Sequence, residues 1–306
     1  MTDWVNYQIV DVFTSTPFNG AQIAVISDAD ELTDSQMNDI ARELNLSETV
    51  FLTRPQLAGA SSRMRTFTRN GEVAFGGHPT IAAGFVLASS GSVEIPERGI
   101  DIVIEQTAGP VDVTLKRLDD GGVFTQFTLK TRPMVDRFVP MESQLAAMLG
   151  LTERDIDKDK YHSLMVATDR SYLIIPLRSF AAVRAAKFDE AYWNQHIAPL
   201  TMAREILLFS TRSDTPVANF HGRLVGPDVA PGEDPPIGSA SPAFAGYLCA
   251  HTHVSAGTHA FVIDRGVVDA RKSLLTIEMV NNASRDLEVR VAGPAVMSAT
   301  GRIRYR

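Results

Sequence analysis

The sequence predicts an α+β fold in two pseudo-symmetric halves, each a bent, mostly antiparallel sheet or barrel around one buried helix. Three observations carry this. Short segments with period-two or continuous apolar character recur along the chain, separated by Gly, Pro, Asn and Asp turns. Two stretches, one from residue 81 to 88 and one following IGSASP, are apolar around the whole helical circumference, and a helix with no polar face is a buried one. Finally, Ala83-Gly84-Phe85-Val86-Leu87-Ala88 lines up with Ala245-Gly246-Tyr247-Leu248-Cys249-Ala250 at an offset of 162 residues, about half the chain, as a duplicated unit would.

In order, VNYQIVDVF (5–13) alternates as a largely buried strand, TPFNG turns, and QIAVIS returns as a second strand. A helix starts at Thr33, which has capping-box spacing to Gln36 and is followed by Met37, Ile40, Ala41 and Leu44 on one face. SETVFLT (47–53) and RMRTFT (63–68) read as strands, and FGGHPTIAAGFVLAS as the first buried helix. IDIVIEQ, VDVTLKR and VFTQFTLK form a meander joined by AGP and DDGG. TRP at 131–133 breaks it, which sets the expected domains at 1–131 and 132–306, with the last strand free to return to the first. Beyond it, ESQLAAMLG is a short helix stopped by Gly150. SYLIIPL and REILLFS are buried strands flanking a helical stretch from Phe180 to about His196. After the second buried helix, HAFVID, SLLTIEM, LEVRV and AVMSA are strands.

Composition excludes several classes of function. The 306 residues are 44% apolar and 21% charged, with 29 basic against 36 acidic side chains, ample material for a core and no clustered basic surface for nucleic acid. Arg302, Arg304 and Arg306 share one face of a terminal strand and read as a solvated edge. The single cysteine, Cys249, permits no intrachain disulfide and no zinc–thiolate site. The start, MTDWVNYQIVDVF, lacks signal-peptide character, and no apolar run reaches the roughly 18 residues of a spanning helix, so the expectation is a cytoplasmic protein without membrane partners.

Pseudo-symmetric halves would bring two buried helix N-termini to one cleft. Each carries about half a positive charge and outward N–H groups, a site for a carboxylate or oxyanion. Three ionisable residues sit at these places: Glu48 in NLSETV, His78 in GGHPT and Asp234 in GEDPPIGSA. Glu48 opens an apolar strand, where a desolvated carboxyl gains the pKa of a general base; the alternative is a solvent-facing strand end. His78 lies in a helix first turn, where the dipole favours a neutral imidazole; the alternative is a buried cap. Asp234 is either a site acid or an N-cap. Ser239 is not in a GxSxG nucleophile elbow, GGHPT and IGSAS lack a phosphate loop's GKS or GKT, and GxGxxG is absent. His251, His253 and His259 lie close in sequence without HExxH, and read as histidines at a helix C-terminus rather than a metal site.

With those residues in view, the chain resembles the phenazine-biosynthesis PhzF-like family, which has the diaminopimelate-epimerase-type fold. The motifs are VDVFTSTPFNG (10–20), ARELNLSETVFL (41–52), RTFTRNGEVAFGGHPT (65–80), AGPVDVTL (108–115) and GEDPPIGSA (232–240). The resemblance implies two domains, each a bent sheet round a central helix. It puts the acid/base glutamate at Glu48, the site histidine at His78, and the aspartate and serine at Asp234 and Ser239. Amides of Gly77 and Gly238 would then bind a substrate carboxylate or oxyanion. It further implies metal-free, cofactor-free transfer of a proton between carbons of an unsaturated cyclic amino acid, and by analogy a homodimer. Related racemases use two cysteines, whose positions here are Gly76 and Ile237, so two-thiol chemistry is excluded. The chain departs from the family at Gly20-Ala21-Gln22, usually GNP; at Asp234-Pro235-Pro236-Ile237-Gly238-Ser239, usually DPATGS; and at Ala270-Arg271-Lys272-Ser273, usually GRPS. The expected function is therefore an isomerase acting on a small carboxylated, amino-acid-like molecule; the alternative is a non-catalytic binder of such an anion.

Overall fold

Alternating apolar residues need a second surface to cover them, and in the first part of this chain they find it by curling round a helix. The computed structural model describes residues 3–168, 170–229, 235–265, 271–282 and 286–306. The elements up to residue 131 are β1 (Trp4–Val12), β2 (Ala21–Ile26), α1 (Asp34–Leu44), β3 (Glu48–Thr53), β4 (Ser62–Thr68), β5 (Gly71–Val73), α2 (Gly77–Ser89), β6 (Ile100–Gln106), β7 (Gly109–Arg117) and β8 (Val123–Thr131). Then come β9 (Met134–Asp136), α3 (Glu142–Met148), β10 (Leu164–Ala167), β11 (Ser171–Pro176), α4 (Phe180–Ala185), α5 (Glu190–Tyr192), β12 (Glu205–Ser210), β13 (Phe220–Val225), α6 (Ser241–Cys249), β14 (Gly257–Arg265), β15 (Ser273–Asn281) and β16 (Leu287–Arg304). The chain divides into one unit that ends at Leu129 and takes in Arg290–Arg306, and a second, Lys130–Val289.

In the first unit the strand order is β1-β2-β3-β4-β6-β7-β8-β16, and β16 pairs antiparallel with β1, from Trp4↔Arg304 to Val12↔Ala295, closing a barrel. Closure leaves no open edge along this ring. Inside runs α2, with every residue from Gly77 to Ala88 buried. Outside, α1 lays Met37, Ile40 and Ala41 on Phe51 and Phe67; Thr33 and Gln36 close the expected capping box. Because Phe51 points outward to α1, strand alternation turns Glu48, Val50 and Leu52 inward.

The second unit runs β9-β10-β11-β12-β13-β14-β15. One face meets α6 through Phe209, Phe220, Phe244, Tyr247 and Phe261, and the other buries Leu145, Val183 and Trp193 beneath α3 to α5. The repeat has a packing counterpart in the two units. A Cβ at Gly84 would lie 2.7 Å from Thr125 Cγ2, and one at Gly246 would lie 2.5 Å from Pro133 Cβ. Each buried helix carries its glycine where a strand or its lead-in comes too close for any side chain.

Several local expectations are corrected. The stretch from Phe180 to His196 is not continuous: the amides of Lys187 and Asp189 turn away to the carbonyls of Leu149 and Met148, and Asp189 caps a fresh start at Glu190. LEVRV and AVMSA are one strand, because Pro294 needs only its carbonyl, which accepts from the amides of Phe13 and Thr14. FHGRLV, with a glycine and a buried-side arginine, gave no strand signal, yet it forms β13; Arg223 points back to cap Val183 and Ala186 at the end of α4. The arginine tail is solvated, with Arg302 and Arg304 paired to β1 on one side and Arg302 lying over the Trp4 ring.

Candidate active site

Two glycines and a proline shape the start of α2. Gly76 is the N-cap, with extended backbone and no side-chain cap, and Pro79 has no N–H, so the amides this helix start directs outward are those of Gly77 and His78. The turn is locked by a buried relay. The Gly76 amide donates to Gln106 Oε1 at 3.1 Å, Gln106 Nε2 donates to Thr80 Oγ1 at 2.8 Å, and Thr80 Oγ1 donates to the Gly76 carbonyl at 2.6 Å. Thr80 and Gln106 are both buried. A Cβ at Gly76 would sit 2.6 Å from Pro79 Cγ, so this position has no room for a side chain. Cys249 lies elsewhere, half-buried beside Met279, and burial pushes its thiol pKa up.

His78 is 2% exposed and meets the Phe13 ring edge-to-face, with centroids 5.0 Å apart. Phe13 itself is buried and holds a left-handed backbone, φ 63, a conformation that costs a bulky residue about 1–3 kcal/mol and persists only where its surroundings impose it. Register then relates Glu48 to this pair. Val12 pairs with Ala21, Val10 with Ile23, and Ile23 with Glu48, so Glu48 begins β3 at the barrel end where β1 delivers Phe13. Glu48 is half-buried and turned inward. One barrel end therefore gathers a carboxylate, a buried imidazole and an outward-facing helix start. The turn above it is tied down by Asp11, wholly buried, whose Oδ2 accepts from the Phe18 amide at 2.7 Å.

In the second unit Gly238 is buried and Ser239 half-buried, both in a 3-10 turn; α6 begins only at Ser241, followed by Pro242. The two helices thus match in their bodies and differ in their first turns. Asp234 lies outside the described residues. His251 spends both ring nitrogens, Nδ1 on the Tyr247 carbonyl and Nε2 on the His162 amide, and burial, joined by His253, His162 and Arg137, holds its pKa down. His259 is on β14, not at the helix end, and no group of metal-ligating side chains forms among the described residues.

Three buried polar or aromatic elements left little signal in the sequence. Gln106 was visible in principle, because the alternation of IDIVIEQ continues its core face through Ile102 and Ile104 onto a glutamine. The Phe13–His78 contact joins residues too distant in the chain to leave any pattern. The third is a buried network on β13 and β14: His221 Nδ1 bonds Asp264 Oδ1 at 2.8 Å, while Asp264 Oδ2 accepts from Ser213 at 2.7 Å and Thr215 at 2.6 Å. Burial works to raise the Asp264 carboxyl, but these hydrogen bonds outweigh it and hold the group below the usual range.

Residues 10–301 match the family model described as phenazine biosynthesis-like protein, PhzC-PhzF. An uncharacterized isomerase of Mesorhizobium japonicum is 30% identical over 97% of this chain and 98% of its own length. A trans-2,3-dihydro-3-hydroxyanthranilate isomerase of Pseudomonas fluorescens is 27% identical over 97% of this chain and 99% of its own. The fold is that of a PhzF-family phenazine biosynthesis protein from Bacillus anthracis, at a TM-score of 0.85 and 21% identity, with 99% of each chain covered.

Proposed function

Since the chain belongs to the phenazine biosynthesis-like PhzC-PhzF family, we propose that this PhzF-like isomerase moves a proton between two carbons of a small, unsaturated, amino-acid-like carboxylate, using its own side chains as acid and base. Glu48 takes the proton from an activated carbon, the double bond shifts, and the same carboxyl returns the proton at the new position. Bonds balance without any oxidant or reductant: one C–H breaks and another forms. The Gly77 amide and the positive end of α2 hold the substrate carboxylate or the charge that develops as the proton leaves. His78 hydrogen-bonds the reacting molecule; in the second unit Asp234 is the expected catalytic aspartate, and Gly238 and Ser239 are the expected substrate-binding residues.

The observation that supports this reading most is the inward, half-buried carboxylate of Glu48 at the barrel end that also holds the Phe13–His78 pair. A group so placed can act on a bound substrate, and general acid/base assistance contributes about 10²- to 10⁴-fold. The test is deuterium wash-in from D₂O, with trans-2,3-dihydro-3-hydroxyanthranilate as first probe, the compound in the relative's name, followed by other small unsaturated amino acids. Wild type should incorporate deuterium at carbon, and Glu48→Gln should lose roughly 10²-fold or more of that rate while still binding the probe. Near-full exchange in Glu48→Gln would reject the assignment.

A further inference from the structure

We infer that Phe13 is a positioning residue for His78, held in its strained backbone so that its ring fixes the imidazole plane. The inference deepens the acid/base reading above and rests on it for its catalytic consequence. Three independent constraints converge on this one side chain. Its left-handed backbone, φ 63, is fixed by the hydrogen bond from its amide to the Pro294 carbonyl at 2.8 Å, with the Thr14 amide on the same oxygen at 3.2 Å. Its ring is wedged from behind by Gly293, where a Cβ would stand 2.5 Å from Phe13 Cδ1. Its other side meets the imidazole at 5.0 Å with an interplanar angle of 86°. A phenylalanine serving only to fill the core would gain the same burial from a relaxed backbone. Here the chain keeps a rare conformation and gives up a side chain at position 293, and what those two concessions deliver is a ring against His78.

An aromatic edge contact is directional, because the positive edge of one ring seeks the negative face of the other. It therefore restricts rotation of the imidazole about its Cβ–Cγ bond, which a shapeless aliphatic contact does not. Orientation of that kind governs turnover more than binding, since a misplacement of about 1 Å can cost roughly 10²-fold in rate.

The test uses two variants that leave Glu48 and His78 in place. Phe13→Leu removes the ring, and Gly293→Ala pushes it from behind while leaving Phe13, His78 and Glu48 themselves unchanged. The His78 imidazole ¹H–¹³C signals, assigned with a His78→Gln control, should move in both variants, and kcat for deuterium exchange should fall about 10- to 100-fold with KM within about threefold of wild type. Phe13→Tyr, which keeps the ring, should retain His78 shifts closer to wild type than Phe13→Leu does. Unmoved His78 signals in both folded variants would overturn the inference, as would kcat within twofold of wild type despite moved signals. The imidazole signals need no substrate, so failure of the isomerase reading, seen as no exchange in wild type, is distinguished from failure of this one.

Discussion

Thr80→Val gives a sharp test of how the helix start at Gly76 is held. Valine keeps the shape of threonine and removes only the hydroxyl, which accepts from Gln106 Nε2 at 2.8 Å and donates to the Gly76 carbonyl at 2.6 Å. Two hydrogen bonds are lost, each worth a net 0.5–1.5 kcal/mol, roughly. The Gly76 carbonyl still accepts the Thr80 amide at 3.1 Å, so the group left stranded is the Gln106 amide nitrogen, on a side chain only 4% exposed. Stranding a buried donor costs about 1–3 kcal/mol, and the whole change amounts to about 2–6 kcal/mol. Urea unfolding followed by circular dichroism, with linear extrapolation, measures it. Thr80→Ser keeps the hydroxyl and should lose only about 1 kcal/mol with its methyl group. A Thr80→Val protein within 0.5 kcal/mol of wild type, or equal losses for valine and serine, would refute the relay as a stabilising element.

Gly84→Ala and Gly246→Ala should each destabilise by about 1–3 kcal/mol, since the added methyl would press on Thr125 and Leu115 in one unit and on Pro133 in the other; thermal melts of the two variants check this, and a neutral result at either site would show that the close approach is not required. The Asp264 carboxyl, held below the usual range by His221, Thr215 and Ser213, contributes stability that is full above its unfolded pKa of about 4 and is lost as pH falls through the lower folded value. The stability gap between wild type and Asp264→Asn should therefore be widest above about pH 5 and narrow on acidification, read from tryptophan fluorescence during unfolding. A gap that grew toward low pH would reverse the sign of this argument.

Elements whose cause is local were legible in the chain itself. The Thr33–Gln36 capping box, the alternation in VNYQIVDVF and the two helices without polar faces declare themselves because the residues that make each contact lie within a few positions of one another, or share a period. Glu48 and His78 were likewise singled out by position, one opening an apolar strand and the other opening a buried helix. Where an amide or carbonyl finds its partner far along the chain, pattern is silent. The break in the helical stretch after Phe180 depends on carbonyls at Met148 and Leu149, and β16 runs unbroken through Pro294 because Phe13 and Thr14 supply its donors.

The sequence alone determined the class of the fold and the short roster of chemical groups, since periodicity and residue type are properties of neighbours. Tertiary structure decided which of those groups meet. The parity that turns Glu48 inward follows from Phe51 facing α1, and the barrel register brings the start of β3 to the end of β1. The wedge of Gly293 behind Phe13 unites residues from opposite ends of the chain. Such contacts are set by closure of the sheet on itself, a many-residue event whose free energy is spread over every strand pair and is written in no single segment.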